Sequence, residues 1–83
     1  MLSPFISKRD FFLRAHSATL DKLNTLLLQS EDHFTEKGEV AIDLTQFPEL
    51  THKSVREYLA LLMREAGWQV TYRQDTGDWM LLY

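Results

Sequence analysis

Three histidines, one run of carboxylates and one cationic group beside a helix start are the residues from which this chain could build chemistry. His16, His33 and His52 form no His-x-x-x-His pair, and the sequence contains no cysteine. His33 has Asp32 and Glu36 nearby. A zinc site needs about four ligands at close range, so no metal is expected. Glu31, Asp32, Glu36 and Glu39 flank Gly38. Paired carboxylates do acid–base work only when a desolvated pocket separates their pKa values. At the end of a helix they read instead as a solvated acidic surface. Ser17 follows His16 in sequence, which is not the geometry of an activated nucleophile. There is no glycine-rich phosphate loop. With no site and little room for a deep pocket, the chain is not expected to be an enzyme or to carry a cofactor.

The cationic group is His52, Lys53 and Arg56, with Arg73 further on. On the exposed start of a helix, Lys53 and Arg56 have the reach and charge to meet phosphate or guanine in a major groove. Thr51 and Ser54 can donate to phosphate, aided by the positive end of the helix. Arg73 would touch the backbone from a hairpin. The competing reading is the solvated polar side of an amphipathic helix. The acids of "QDTGD", residues 74–78, oppose phosphate binding. Lys8, Arg9 and Arg14 pose the same choice between a basic arm and an ordinary first helix.

Aromatic and apolar residues offer a second kind of surface. Trp68, Tyr72, Trp79 and Tyr83 can stack on single-stranded bases or pack in a core. Ala60, Leu61 and Trp79 exceed what one small core needs and are candidates for a protein or homodimer interface.

The 83 residues make one domain with a net charge of −3. A chain of this size buries only about 60 % of its unfolded surface, so packing must be good. Apolar residues are 45 % of the sequence, too many for a disordered chain. Residues 1–42 carry five basic and six acidic groups, and residues 43–83 carry four and six. Neither half attracts nucleic acid by bulk charge. "MLSPFISKRDFF" lacks the features of a signal peptide, and no apolar run has the length of a membrane span. A cytoplasmic protein is expected.

These residues need elements to hold them. Residues 1–6 read as an extended tail because Ser3 precedes Pro4. Ser7 and Asp10 resemble a capping box. Phe12, Ala15, Thr19, Leu23, Leu26, Ser30 and Phe34 then recur at helical steps, with Leu20 and Leu27 widening the stripe. This helical segment spans 7–38, continuous or broken near His16-Ser17, and Gly38 stops it. Val40, Ile42 and Leu44 alternate as a short strand. "TQFPEL" is a turn or a single helical turn. Thr51 or Ser54 caps the next helix, whose apolar face is Val55, Tyr58, Leu59, Leu62, Met63 and Ala66, with Ala60 turned away. Gly67 ends it. "WQVTYR" and "WMLLY" are strands around a turn centred on Thr76-Gly77, which sets Tyr72 opposite Leu81 and Val70 opposite Tyr83. In that register Tyr72, Trp79 and Tyr83 share a face. The last strand is apolar on both faces, so it should be central, with 40–44 beside it and 68–73 at an edge.

From Leu44 onward, "LTQFPELTHKSVREYLALLMREAGW" resembles a winged helix-turn-helix, over residues 40–83. The resemblance makes Leu44 and Phe47 anchors of a first short helix and Leu50 the turn residue. It makes 51–65 the recognition helix and 69–83 the wing. Pro48 departs from the pattern, because the family's first helix should continue there. The expected fold is therefore α+β and winged-helix-like, in the order α-β-(short turn or helix)-α-β-β, with a small three-stranded antiparallel sheet. Residues 39–83 form the winged-helix-like portion. The resemblance implies a regulatory protein that binds duplex DNA through the helix 51–66, as a dimer, using Thr51, His52, Lys53, Ser54, Arg56 and Arg73. The alternative is a protein-interaction module, an accessory or inhibitor protein of the kind that phages and prophages encode, which keeps the scaffold without binding DNA.

Overall fold

The computed structural model describes residues 4–75 and 77–83. Ser7 accepts from the Asp10 N–H at 3.1 Å and starts α1, Lys8–Ala15. The stripe that follows is helical throughout but bends twice. His16 leaves helical geometry at φ −120°, ψ 26°, separating α1 from α2, Ser17–Gln29. Ser30 does the same before α3, Glu31–Lys37. Its hydroxyl donates back to the Leu26 carbonyl at 2.6 Å, a bond that competes with the helix ladder. Gly38 closes α3 at φ 74°, where a residue with a side chain would be strained.

Strand β1, Val40–Asp43, alternates as expected, with Val40 and Ile42 buried and Ala41 exposed. The Asp43 carboxylate then accepts from the Thr45 N–H and hydroxyl at 3.0 and 2.7 Å and opens a 3-10 turn, Leu44–Gln46. Phe47 stands at φ −130°, ψ 82°, because a residue before proline is pushed out of the helical region. Pro48 begins a second 3-10 turn, Pro48–Thr51, at a helix-start position that suits it. "TQFPEL" thus makes two tight turns, and Leu44, Phe47 and Leu50 all point into the core.

The long amphipathic helix, α4, runs Lys53–Glu65. Neither Thr51 nor Ser54 caps it. His52 is the flanking residue and makes no side-chain cap, while the Thr51 hydroxyl donates to Pro48 O at 2.7 Å. The proline-led turn takes Thr51 for its own carbonyl. Leu59 and Ala60 are buried, and Val55, Tyr58, Leu62 and Met63 pack on the core from its margin. Ala60 is therefore inside and Ala66 outside, the reverse of the expected pattern. The 3-10 turn before α4 and β2 after it both pack on this helix.

Strands β2, Val70–Arg73, and β3, Trp79–Leu82, complete an antiparallel sheet in the order β1-β3-β2. The doubly apolar strand is central, as expected. The register is not the expected one: Val70 pairs with Leu82 and Tyr72 with Met80. Five residues separate the two strands in sequence, where a two-residue turn was expected, and Gly77 has φ 121°. Thr76, half of the expected turn centre, lies outside the described residues. A one-residue shift moves every side chain of a strand to the other face. Tyr72 consequently joins Met80 and Leu82 on the helix side, while Trp79, Leu81 and Tyr83 face the other way. The core is Phe12, Leu23, Leu44, Phe47, Leu50 and Leu59 against Val40, Ile42, Met80 and Leu82.

Candidate functional site

The first half of α4 meets the end of β2 in a shallow cleft of about 360 Å³, lined by Lys53, Arg56, Glu57, Tyr72 and Gln74. Tyr72 reaches it because its register places it under the helix. Its hydroxyl donates to the Arg56 carbonyl at 2.9 Å, and the Arg56 guanidinium lies 5.6 Å from the ring centroid. Burial pushes the Tyr72 hydroxyl above its ordinary pKa, against a smaller downward pull from Arg56 and Arg64. Lys53 stands 3.7 Å from Glu57 one turn on. Thr51, His52, Lys53 and Ser54 are exposed around the helix start, and Arg56 is half-buried.

Arg73 does not join them. It follows Tyr72 in the strand, so it projects from the opposite face of the sheet. There it shares a depression with Ala41, Trp79 and Leu81 and donates to Asp75 at 2.6 Å. That bond, the charge of Asp75 and the more distant Glu39 hold its pKa above the ordinary value. The six expected DNA contacts thus split into five around the start of α4 and one behind the sheet. The four aromatics split as well. Tyr72 faces the core, Trp68 takes Phe34 edge-on at 5.7 Å, and Trp79 and Tyr83 face outward.

The remaining candidates separate too. Lys8 covers the Tyr58 ring at 4.7 Å, Arg9 sits beside α2, and Arg14 lies exposed in the last turn of α1. These cations belong to a folded helix, and no arm is formed by them. His33 is exposed. His16 meets Glu49 at 2.6 Å, a pair that no sequence spacing suggested. Among the described residues no group of three His, Asp or Glu side chains is placed to hold a metal ion. No helix among them is long and apolar enough to cross a membrane.

A wider groove was not foreseen. The bend at His16 sets α1 and α2 at an angle over α4 and leaves an open groove of about 710 Å³ between them. Leu13, Leu20, Leu23, Leu59, Leu62 and Met63 form its floor, and Arg9, Asp21, Asn24 and Glu65 its rim. The widening of the stripe by Leu20 was the one available signal. Of the surface candidates, Leu61 is exposed and Trp79 half-exposed, but Ala60 is only 3 % exposed and contributes to no outer surface.

No known protein family, curated protein or solved structure matches this chain. What the fold displays is an α+β domain with a three-stranded antiparallel sheet and an open groove on its helical side.

Proposed function

We propose that this chain is a non-enzymatic protein-interaction module on a winged-helix-like scaffold, and that its groove receives an amphipathic helix of a partner protein. The observation that carries the reading is the groove between α1–α2 and α4. Its floor is aliphatic and its rim carries both charge signs, which suits an apolar stripe flanked by polar residues. Met63 adds a side chain that adapts to the shape it meets. The test is capture from host lysate with the folded chain and with Leu13→Lys and Met63→Lys variants. A partner retained by the wild type and by Arg56→Ala, and lost by both groove variants, is expected. Equal capture by all four proteins overturns the reading.

Duplex DNA binding through α4 is the second reading. It is favoured by the strand order β1-β3-β2 behind an exposed helix start bearing Thr51, His52, Lys53 and Ser54. Against it stand the net charge of −3, the carboxylate beside Lys53, and the placement of Arg73 behind the sheet. A DNA reader should bind a duplex at about 50 mM salt and weaken steeply as salt rises. Lys53→Ala and Arg56→Ala should then weaken binding, with Arg73→Ala unchanged. No detectable binding at low salt eliminates this reading.

A further inference from the structure

The core lies on one face of the sheet, and the end of α2 reaches round the β1 edge, where Leu26 and Ser30 share a hollow with Ala41 and Trp79. On the other face, Trp79, Leu81 and Tyr83 of the central strand make an apolar stripe, with Tyr83 46 % exposed. Its flanks differ, with Asp43 on the β1 side and Arg73, ion-paired to Asp75, on the β2 side. Asp43, Trp79 and Arg73 are register partners across the three strands, so an acid lies on one side of the indole and a cation on the other. One layer along, Ala41, Leu81 and Thr71 are small or neutral where the sheet must be flat. Glu39, just before β1, adds to the acidic edge by strand alternation.

We propose that this face binds a second copy of the chain, sheet to sheet, about a twofold axis parallel to β3. Such an axis keeps each layer at its own height and exchanges left with right. Trp79 then meets Trp79, Leu81 meets Leu81, and Asp43 of each copy faces Arg73 of the other. The face is complementary to itself in charge as well as in shape, as an isologous interface requires. A twofold axis across the strands in the same plane would set β1 over β1 and bring Asp43 toward Glu39, acid against acid. The charge pattern therefore selects the parallel axis as well as the occupant. Sheets packed in this way lie about 10 Å apart, which leaves room for one interdigitated layer of these side chains.

Both charged groups are held ready. The two bonds from Thr45 fall on the same Asp43 oxygen, Oδ1, which fixes the carboxylate while leaving Oδ2 out of both bonds. Arg73 donates to Asp75 through one nitrogen, Nη2, and its other N–H groups can donate to a second carboxylate. The arrangement also places α4 of each copy on the far side of its own sheet. The dimer displays two grooves pointing apart, and no single straight duplex can receive both helices.

The test is molar mass by light scattering and sedimentation over a range of concentrations. The wild type is expected at twice the 9.8 kDa chain mass, with Leu81→Glu, Arg73→Glu and Asp43→Lys each at the monomer mass and folded by circular dichroism. Mixing Arg73→Glu with Asp43→Lys is expected to restore the doubled mass, because each charge-reversed site then meets its opposite. A monomeric wild type at about millimolar concentration overturns the proposal, as does a dimer that survives Leu81→Glu. Failure of the mixture to associate overturns the proposed axis. None of these outcomes depends on the groove or on a partner protein.

Discussion

Glu49 Oε2 lies 2.6 Å from His16 Nδ1 and 2.8 Å from Thr19 Oγ1, so one carboxylate oxygen ties the α1–α2 bend to the turn that launches α4. The His16 ring also packs on Phe12 at 4.7 Å, which itself meets Tyr58 of α4 at 4.8 Å. The bend that opens the groove is thus held at a polar point and an aromatic one.

That bond makes a prediction for acid. The hydrogen bond from His16, then that from Thr19, holds the Glu49 carboxyl below its ordinary pKa. Its folded value is depressed, so its contribution is complete above the unfolded value of about 4.3 and is lost as pH falls through the folded one. Melting curves of the wild type and Glu49→Gln should differ near neutrality and converge as acid takes the pH below the depressed folded value. A gap that stays constant with pH would assign the difference to packing instead.

Tyr72 predicts the opposite limb. Tyr72→Phe removes the bond to the Arg56 carbonyl and should cost about 0.5–1.5 kcal/mol in urea unfolding. Because burial raises the folded pKa, the hydroxyl's contribution is present below the unfolded value of about 10 and disappears as pH rises through the folded one. The variant should lack that alkaline loss, and parallel alkaline profiles would contradict it.

On α4, neighbouring residues should respond very differently. Leu59→Ala removes a side chain that is 2 % exposed and should cost about 2–5 kcal/mol, close to unfolding a domain this small. Leu61→Ala, at 45 % exposure, should stay within about 0.5 kcal/mol. Ala60→Leu should destabilise by about 1–3 kcal/mol through overpacking, although a simple helical wheel places it outside. Chemical unfolding of the three variants distinguishes the observed buried arc from the expected one.

Gly38→Ala isolates a backbone effect. An added Cβ would meet nothing within 4 Å, so only the φ of 74° is at stake. The expected loss is about 1–2 kcal/mol, with Gly38→Asn milder because Asn tolerates this conformation. Equal stability of all three proteins in thermal melts would show that α3 ends without needing this turn.

What the sequence determined by itself is what local chemistry encodes. The Ser7 cap, the left-handed stop at Gly38, the alternation of Val40 and Ile42 and the central place of a doubly apolar strand follow from side chains within a few residues of one another. Tertiary structure decided the rest. Strand β3 is apolar on both faces, so hydrophobic pattern fitted either register, and the one observed sends Tyr72 to α4 and Arg73 away. Ala60 is buried although the apolar spacing of α4 alone sets it outside. His16 and Glu49 are 33 residues apart, and only folding brings an imidazole and a carboxylate to 2.6 Å. Groove and self-complementary sheet face are likewise sums over distant segments, which no local spacing records.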